Sequence, residues 1–135
     1  MVSPPKRRVF PGEDGQVAIA RRFVARALEG CPVTDTAALL TSELVTNTLR
    51  HTHTADGGTF DVIVWRGLAA ACVAVLDDGS HATPAVRVPA SGEPAESGYG
   101  LALVDRLATR WGYRTYEGEE SRGTAVWFCL RWAAT

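Results

Sequence analysis

From Thr59 to Asp77 the chain carries two apolar runs, 59–65 alternating and 69–77 nearly continuous, joined only by Arg66-Gly67-Leu68. Alternation with period two marks a strand with one buried face, and so short a connection makes an antiparallel hairpin the natural pairing. A second couple, 113–116 and 124–131, is separated by the acidic turn 117–123. Strands that arrive in couples between helical stretches disfavour a doubly wound parallel fold. The expected class is α+β: a two-layer α/β sandwich, with helices on one face of a mixed, mainly antiparallel sheet.

Three helical stretches complete the order. Val17, Ala20, Val24, Ala27 and Leu28 follow helical spacing over 16–29, with Asp14 placed to cap the start and Gly30 to end it. Arg21, Arg22 and Arg26 fall on the outer side, as a solvated face or a partner surface. A second helix, capped by Thr34 or Asp35 and running to about His51, has Ala37, Leu40, Leu44 and Thr48 as its inward stripe. A third follows Gly98-Tyr99-Gly100, with Leu101, Val104, Leu107, Ala108 and Trp111 on one side and Gly112 as its stop. Residues 78–97 form a Gly-, Pro-, Ser- and Ala-rich connection without periodicity, long enough to be a functional lid.

A sheet and three helices need a core that this composition supplies: 135 residues, 46% hydrophobic and 21% charged, the profile of one folded domain. That domain is assigned to 9–135, preceded by a Pro-rich, flexible basic arm over 1–8; Val9-Phe10-Pro11 reads as a short edge strand or as coil. A net charge of -1 gives no overall attraction to nucleic acid, so no direct nucleic-acid partner is expected. No apolar stretch follows Lys6, Arg7 and Arg8, and no window approaches the roughly 20 apolar residues that span a bilayer. The expectation is a cytoplasmic protein without membrane association. Cys31, Cys72 and Cys129 show no CxxC spacing, and the last two sit in apolar strand runs, where cysteine behaves as a small hydrophobe. No disulfide framework is implied.

Several residues stand where chemistry is possible. Glu43 and Asn47 are four apart on the second helix, hence about 40° apart in rotation and stacked at the edge of the Leu40 and Leu44 stripe. An Asn oxygen suits Mg²⁺, and a carboxylate one turn away suits deprotonation of an attacking hydroxyl or water; alone, such a pair is more often an exposed polar couple. Asp77 ends the buried strand, where its carboxylate suits a base amino group, and Gly79 would let a flat ring approach the backbone; the alternative is an ordinary Asp-Gly turn. Gly98 and Gly100 precede the free amides of the third helix, a setting for phosphate or simply a hinge. Thr124 adds a hydroxyl at the start of the last strand.

Taken in order, these residues resemble the GHKL ATPase superfamily. Glu43-Leu44-Val45-Thr46-Asn47 is similar to its N box, Asp77 to Gly79 to its first glycine box, Gly98 to Gly112 to its second, and Gly123 to Phe128 to its final strand. Within it, the small size, the ELVTN-x-x-Arg50-His51 stretch and GLALVDRLATRWG most resemble the anti-sigma-factor serine/threonine kinases and their stand-alone ATP-binding relatives. The resemblance implies a Bergerat-type ATP-binding fold with ATP and Mg²⁺ as cofactors. It implies Glu43 as general base, Asn47 as the Mg²⁺ ligand, and Asp77, Gly79 and Thr124 around adenine. Gly98, Gly100 and the amide of Leu101 would lie against the phosphates. It also implies a sigma factor and an anti-sigma antagonist as partners, docking through the Arg21, Arg22 and Arg26 face, and a homodimer, common among its members. Two departures stand out: Ser80 and His81 follow Gly79 where a second glycine is usual, and Arg87 is the only strong cation between Gly79 and Gly98. Because phosphoryl transfer relies on charge stabilisation, the second departure keeps open an ATP-sensing interaction module with little kinase activity.

Overall fold

The computed structural model describes residues 4–51, 57–77, 101–117 and 122–133. In chain order its elements are β1 (Lys6–Pro11), α1 (Gln16–Ala27), α2 (Thr34–His51), β2 (Thr59–Arg66), β3 (Ala70–Asp77), α3 (Leu101–Leu107), β4 (Arg110–Glu117) and β5 (Arg122–Arg131). The strands form one five-stranded sheet in the order β1-β2-β3-β5-β4. Every pairing is antiparallel, so the sheet is not mixed as the sequence suggested. The α+β two-layer architecture is as expected.

Strand alternation decides which face the helices cover. Phe60, Val62 and Val64 of β2, Ala71, Val73 and Val75 of β3, and Val126, Phe128 and Leu130 of β5 join a buried cluster with Ala20 and Val24 of α1, Leu40, Leu44 and Val45 of α2, and Leu101 and Val104 of α3. Their alternates fall on the other face, where Trp65 is exposed and Cys72, Trp127 and Cys129 are half-buried. Full burial of a phenylalanine contributes about 1.5–3 kcal/mol, and Phe10, Phe60 and Phe128 are all completely buried. Phe10 stacks on Phe60 at 5.1 Å and meets Phe23 edge-on at 5.9 Å, which fastens β1 and α1 together.

The α1–α2 corner is closed by side chains. Gly30 takes φ +87°, a conformation that suits glycine just past a helix. The Thr34 hydroxyl shares its proton between the carbonyls of Leu28 (2.5 Å) and Cys31 (2.7 Å), while Arg66 donates to the Glu29 carbonyl at 2.9 Å. A cation at a helix C-terminus satisfies orphan carbonyls and complements the helix dipole. At the other end of α1, Gly15 is the N-cap and no side chain caps it, so Asp14 does not play the role its position suggested.

Three further expectations are corrected. Residues 6–8, read as part of a loose arm, form the first half of β1, because their backbone pairs with Val62, Ile63 and Val64. The third helix stops at Leu107 instead of reaching Gly112. There the Thr109 amide turns to the Cys129 carbonyl at 2.9 Å and Trp111 enters β4, its indole N–H donating to Asp105 at 2.8 Å. Pairing of β4 with β5, which begins at Arg110, outweighs a helical periodicity that 108–111 also satisfies. Gly112 is therefore a strand glycine, and a Cβ there would lie 2.8 Å from the Trp127 ring. Third, Cys72 and Cys129 are not inert small hydrophobes: they are disulfide-bonded, and Cys31 alone is free. The register of β3 on β5 sets them directly opposite each other. The expected lid over 78–97 lies outside the described residues.

Candidate functional site

Helix α2 packs on β3 and against α3, and the buried polar residues singled out by sequence lie on α2, at the end of β3 and near the start of β5. Asn47 stands two turns beyond Leu40, about 20° off in rotation, and so belongs to the inward stripe. It is 2% exposed, yet neither its Oδ1 nor its Nδ2 has a hydrogen-bond partner among the described residues. Buried polar side chains are normally satisfied, since each unmet group costs about 1–3 kcal/mol. Thr41, six residues earlier on α2, shows the ordinary solution: its buried hydroxyl donates back to the Ala37 carbonyl at 2.8 Å. Asn47 has no such arrangement.

Asp77 shares the inward parity of Val73 and Val75 and is 3% exposed, so it faces the same interlayer as Asn47. Its Oδ2 accepts the backbone N–H of Thr124 at 3.1 Å. That bond joins the last residue of β3 to the start of β5 and fixes how the carboxylate is turned. Thr124 is 1% exposed, and its Oγ1, like the polar atoms of Asn47, lacks a partner among the described residues. Sequence reasoning gave Thr124 a supporting hydroxyl; it missed that the main-chain amide of the same residue orients Asp77.

Leu101, completely buried, opens α3. Glu43 is half-buried, one turn before Asn47 on the same helix, about 6 Å along its axis. Gly79, Gly98 and Gly100 lie outside the described residues; the structure joins Asp77 to Thr124 directly and carries Glu43 and Asn47 on α2 and Leu101 on α3, two helices packed on each other over the same face of the sheet. Arg21, Arg22 and Arg26 are all exposed on α1, away from this cluster in sequence and on the solvent side of their helix.

The cluster offers a carboxamide, a hydroxyl and an oriented carboxylate in a mostly apolar setting. A carboxamide with both ends unmet accepts from a donor or binds a hard cation through oxygen, and donates through nitrogen. The group that meets them must bring polar atoms into a buried place, as a nucleotide with its phosphates and metal does. Magnesium commonly keeps only one or two protein oxygens beside phosphates and water, a demand that one asparagine oxygen satisfies. The residues present fit such a ligand.

Asp61 is a buried acid that the sequence reading passed over. It points to the open face of the sheet, 8% exposed, where it is paired with the Arg7 guanidinium and accepts its Nε–H at 2.6 Å. An acid inside the alternating run 59–65 was the available signal. Among the described residues no helix is long and apolar enough to cross a membrane. No curated protein matches the chain. The family comparison, by contrast, matches residues 10–130, from the end of β1 to the penultimate residue of β5, and on that match the chain belongs to the histidine kinase-like ATPase domain family.

Proposed function

We propose that the chain is an ATP-dependent regulatory protein kinase of the switch type, transferring a phosphoryl group from Mg-ATP to a serine or threonine hydroxyl of an anti-sigma antagonist and binding a sigma factor as its second partner. The observation that carries the reading is the Asn47 carboxamide, buried and with neither polar atom partnered among the described residues, one helical turn beyond Glu43. The family match supports the ATP-binding part; the choice of acceptor and partners rests on the sequence resemblance.

In this reading each residue has one task. Asn47 Oδ1 holds Mg²⁺, which when bound neutralises charge along the phosphates. Asp77, already turned by the Thr124 amide, accepts the adenine amino group, and the Thr124 hydroxyl supports the same ring. Gly79, Gly98, Gly100 and the Leu101 amide approach base and phosphates with no side chain in the way. Glu43 takes the proton of the attacking hydroxyl at its carboxylate. The exposed Arg21, Arg22 and Arg26 face docks a partner, and the setting is cytoplasmic.

Incubation with labelled ATP, Mg²⁺ and the cognate antagonist tests it: transfer is expected from the native chain and reduced by about 10²–10⁴-fold in Glu43→Ala. Undiminished transfer in that variant removes Glu43 as the base. A second reading is favoured by one sequence observation, the single strong cation, Arg87, between Gly79 and Gly98: an ATP-sensing interaction module that binds nucleotide and does not transfer. Tight binding of Mg-ATP by calorimetry with no transfer to any partner selects that reading.

A further inference from the structure

We propose that Cys72 and Cys129 form a reversible redox site on the open face of the sheet, exchanging with low-molecular-weight thiols and their disulfides while the fold stays assembled. The argument begins with register. Cys72 of β3 lies directly opposite Cys129 of β5, with Cα atoms 4.1 Å apart. The Trp132 amide donates to the Ala69 carbonyl at 3.0 Å, and antiparallel ladders alternate, so three steps along, the cysteines occupy a non-hydrogen-bonded position where side chains approach most closely. Two thiols held there remain within bonding reach without any backbone rearrangement. Opening the bond leaves the ladder itself intact, since its hydrogen bonds flank the pair and do not pass through it.

Access is the second part. Both cysteines are half-buried on the face the helices leave uncovered, while their chain neighbours Val73 and Phe128 point to the core and are completely buried. The bond can therefore be attacked without opening the core. An open hollow of about 410 Å³ surrounds it, lined by Ala70, Cys72, Arg110, Trp127, Cys129 and Arg131. Its guanidinium groups steer an anionic attacker such as glutathione, and the indole gives it an apolar wall. Disulfides in reducing compartments, where they occur, are mostly transient and redox-sensing.

The exchange is balanced in two steps. A small thiolate attacks one cysteine sulfur, forming a mixed disulfide there and releasing the other as a thiolate that takes up a proton. A second small thiolate attacks the small molecule's sulfur in the mixed disulfide, giving the small-molecule disulfide and the second cysteine thiolate, which is protonated in turn. Two electrons pass from the two small thiols to the cysteine pair; oxidation runs the same steps backwards.

The site also lies on the two strands that end at the functional cluster. Cys72 is five residues from Asp77 along β3, and Cys129 five from Thr124 along β5, so the bond is a removable clamp on the pair that sets their contact.

The full chain is equilibrated without oxygen in reduced and oxidised glutathione at graded ratios, quenched in acid, alkylated with N-ethylmaleimide and weighed intact, with peptide mapping to locate the bond. Labelled cysteines should rise from one, Cys31, to all three as the buffer becomes reducing, with the same midpoint approached from either side. Circular dichroism should be preserved throughout, and β5 amides should exchange several-fold faster in the dithiol form. Cys31→Ala should lower both counts by one and leave the midpoint in place. One label at every ratio, three at every ratio, a bond mapped elsewhere, or loss of the fold on reduction would each overturn the proposal.

Discussion

Asp61 and Asp77 sit on neighbouring strands one register step apart, Phe60 facing Asp77 and Asp61 facing Leu76, and both are buried. They point to opposite faces of the sheet. On the open face, Asp61 is neutralised by Arg7, whose side chain is 61% exposed. On the covered face, Asp77 accepts the Thr124 amide, and Asn47 and the Thr124 hydroxyl have no partner among the described residues. The buried acid of the open face is thus matched within the chain, whereas the covered face holds buried polar atoms unmet among the described residues, a state tolerated where a ligand completes it.

The comparison is broken most directly on β5, where adjacent residues point to different faces. Phe128→Ala should cost about 3–5 kcal/mol in denaturant unfolding, because Phe128 is completely buried under the helices. Trp127→Ala, on the open face, should cost roughly 1–2 kcal/mol, since less area returns to water. Equal losses would mean that the open face is not open in solution. Next in size is Asn47→Leu, which should weaken Mg-ATP binding by about 100-fold in calorimetry, close to 2.7 kcal/mol. Its stability should hold or rise by about 1 kcal/mol, because an apolar side chain of similar size removes two unmet polar atoms. A fall of more than about 2 kcal/mol would make Asn47 a structural residue and remove the main support for the proposed site.

The two aspartates sharpen the contrast. Asp77→Asn keeps an oxygen able to accept the Thr124 amide, so stability should move by less than about 1 kcal/mol. If the added amide nitrogen faces the adenine amino group, ATP affinity should fall by about tenfold. Asp61→Asn should leave ATP affinity unchanged and lose about 1 kcal/mol of stability as its ion pair with Arg7 is removed.

What could be read in the sequence followed from periodicity. The alternation of Val62 with Val64 and of Val73 with Val75 put the right residues inward, and the stripe of Ala37, Leu40, Leu44 and Thr48 is buried as its spacing required. Helical phase also set Asn47 beside that stripe, and the end of an apolar run marked Asp77. The rest depends on which strands meet. Every residue has a backbone N–H, so nothing marked Thr124's as the one that reaches Asp77. The Cys72–Cys129 bond needs the register of two strands far apart in the chain. Residues 108–111 fit a helical and an extended pattern equally well, and only pairing with β5 decides between them.

That disulfide has a consequence for the chain as a whole. Its cysteines are 57 residues apart in sequence, so closing the bond turns an open string into a ring with two tails. Helix α3 and strand β4 lie wholly inside the ring, while β1, α1, α2 and β2 belong to the leading tail. A single proteolytic nick anywhere between Cys72 and Cys129 would then release no fragment: the severed chain migrates as one species on a non-reducing gel and as two once dithiothreitol is added.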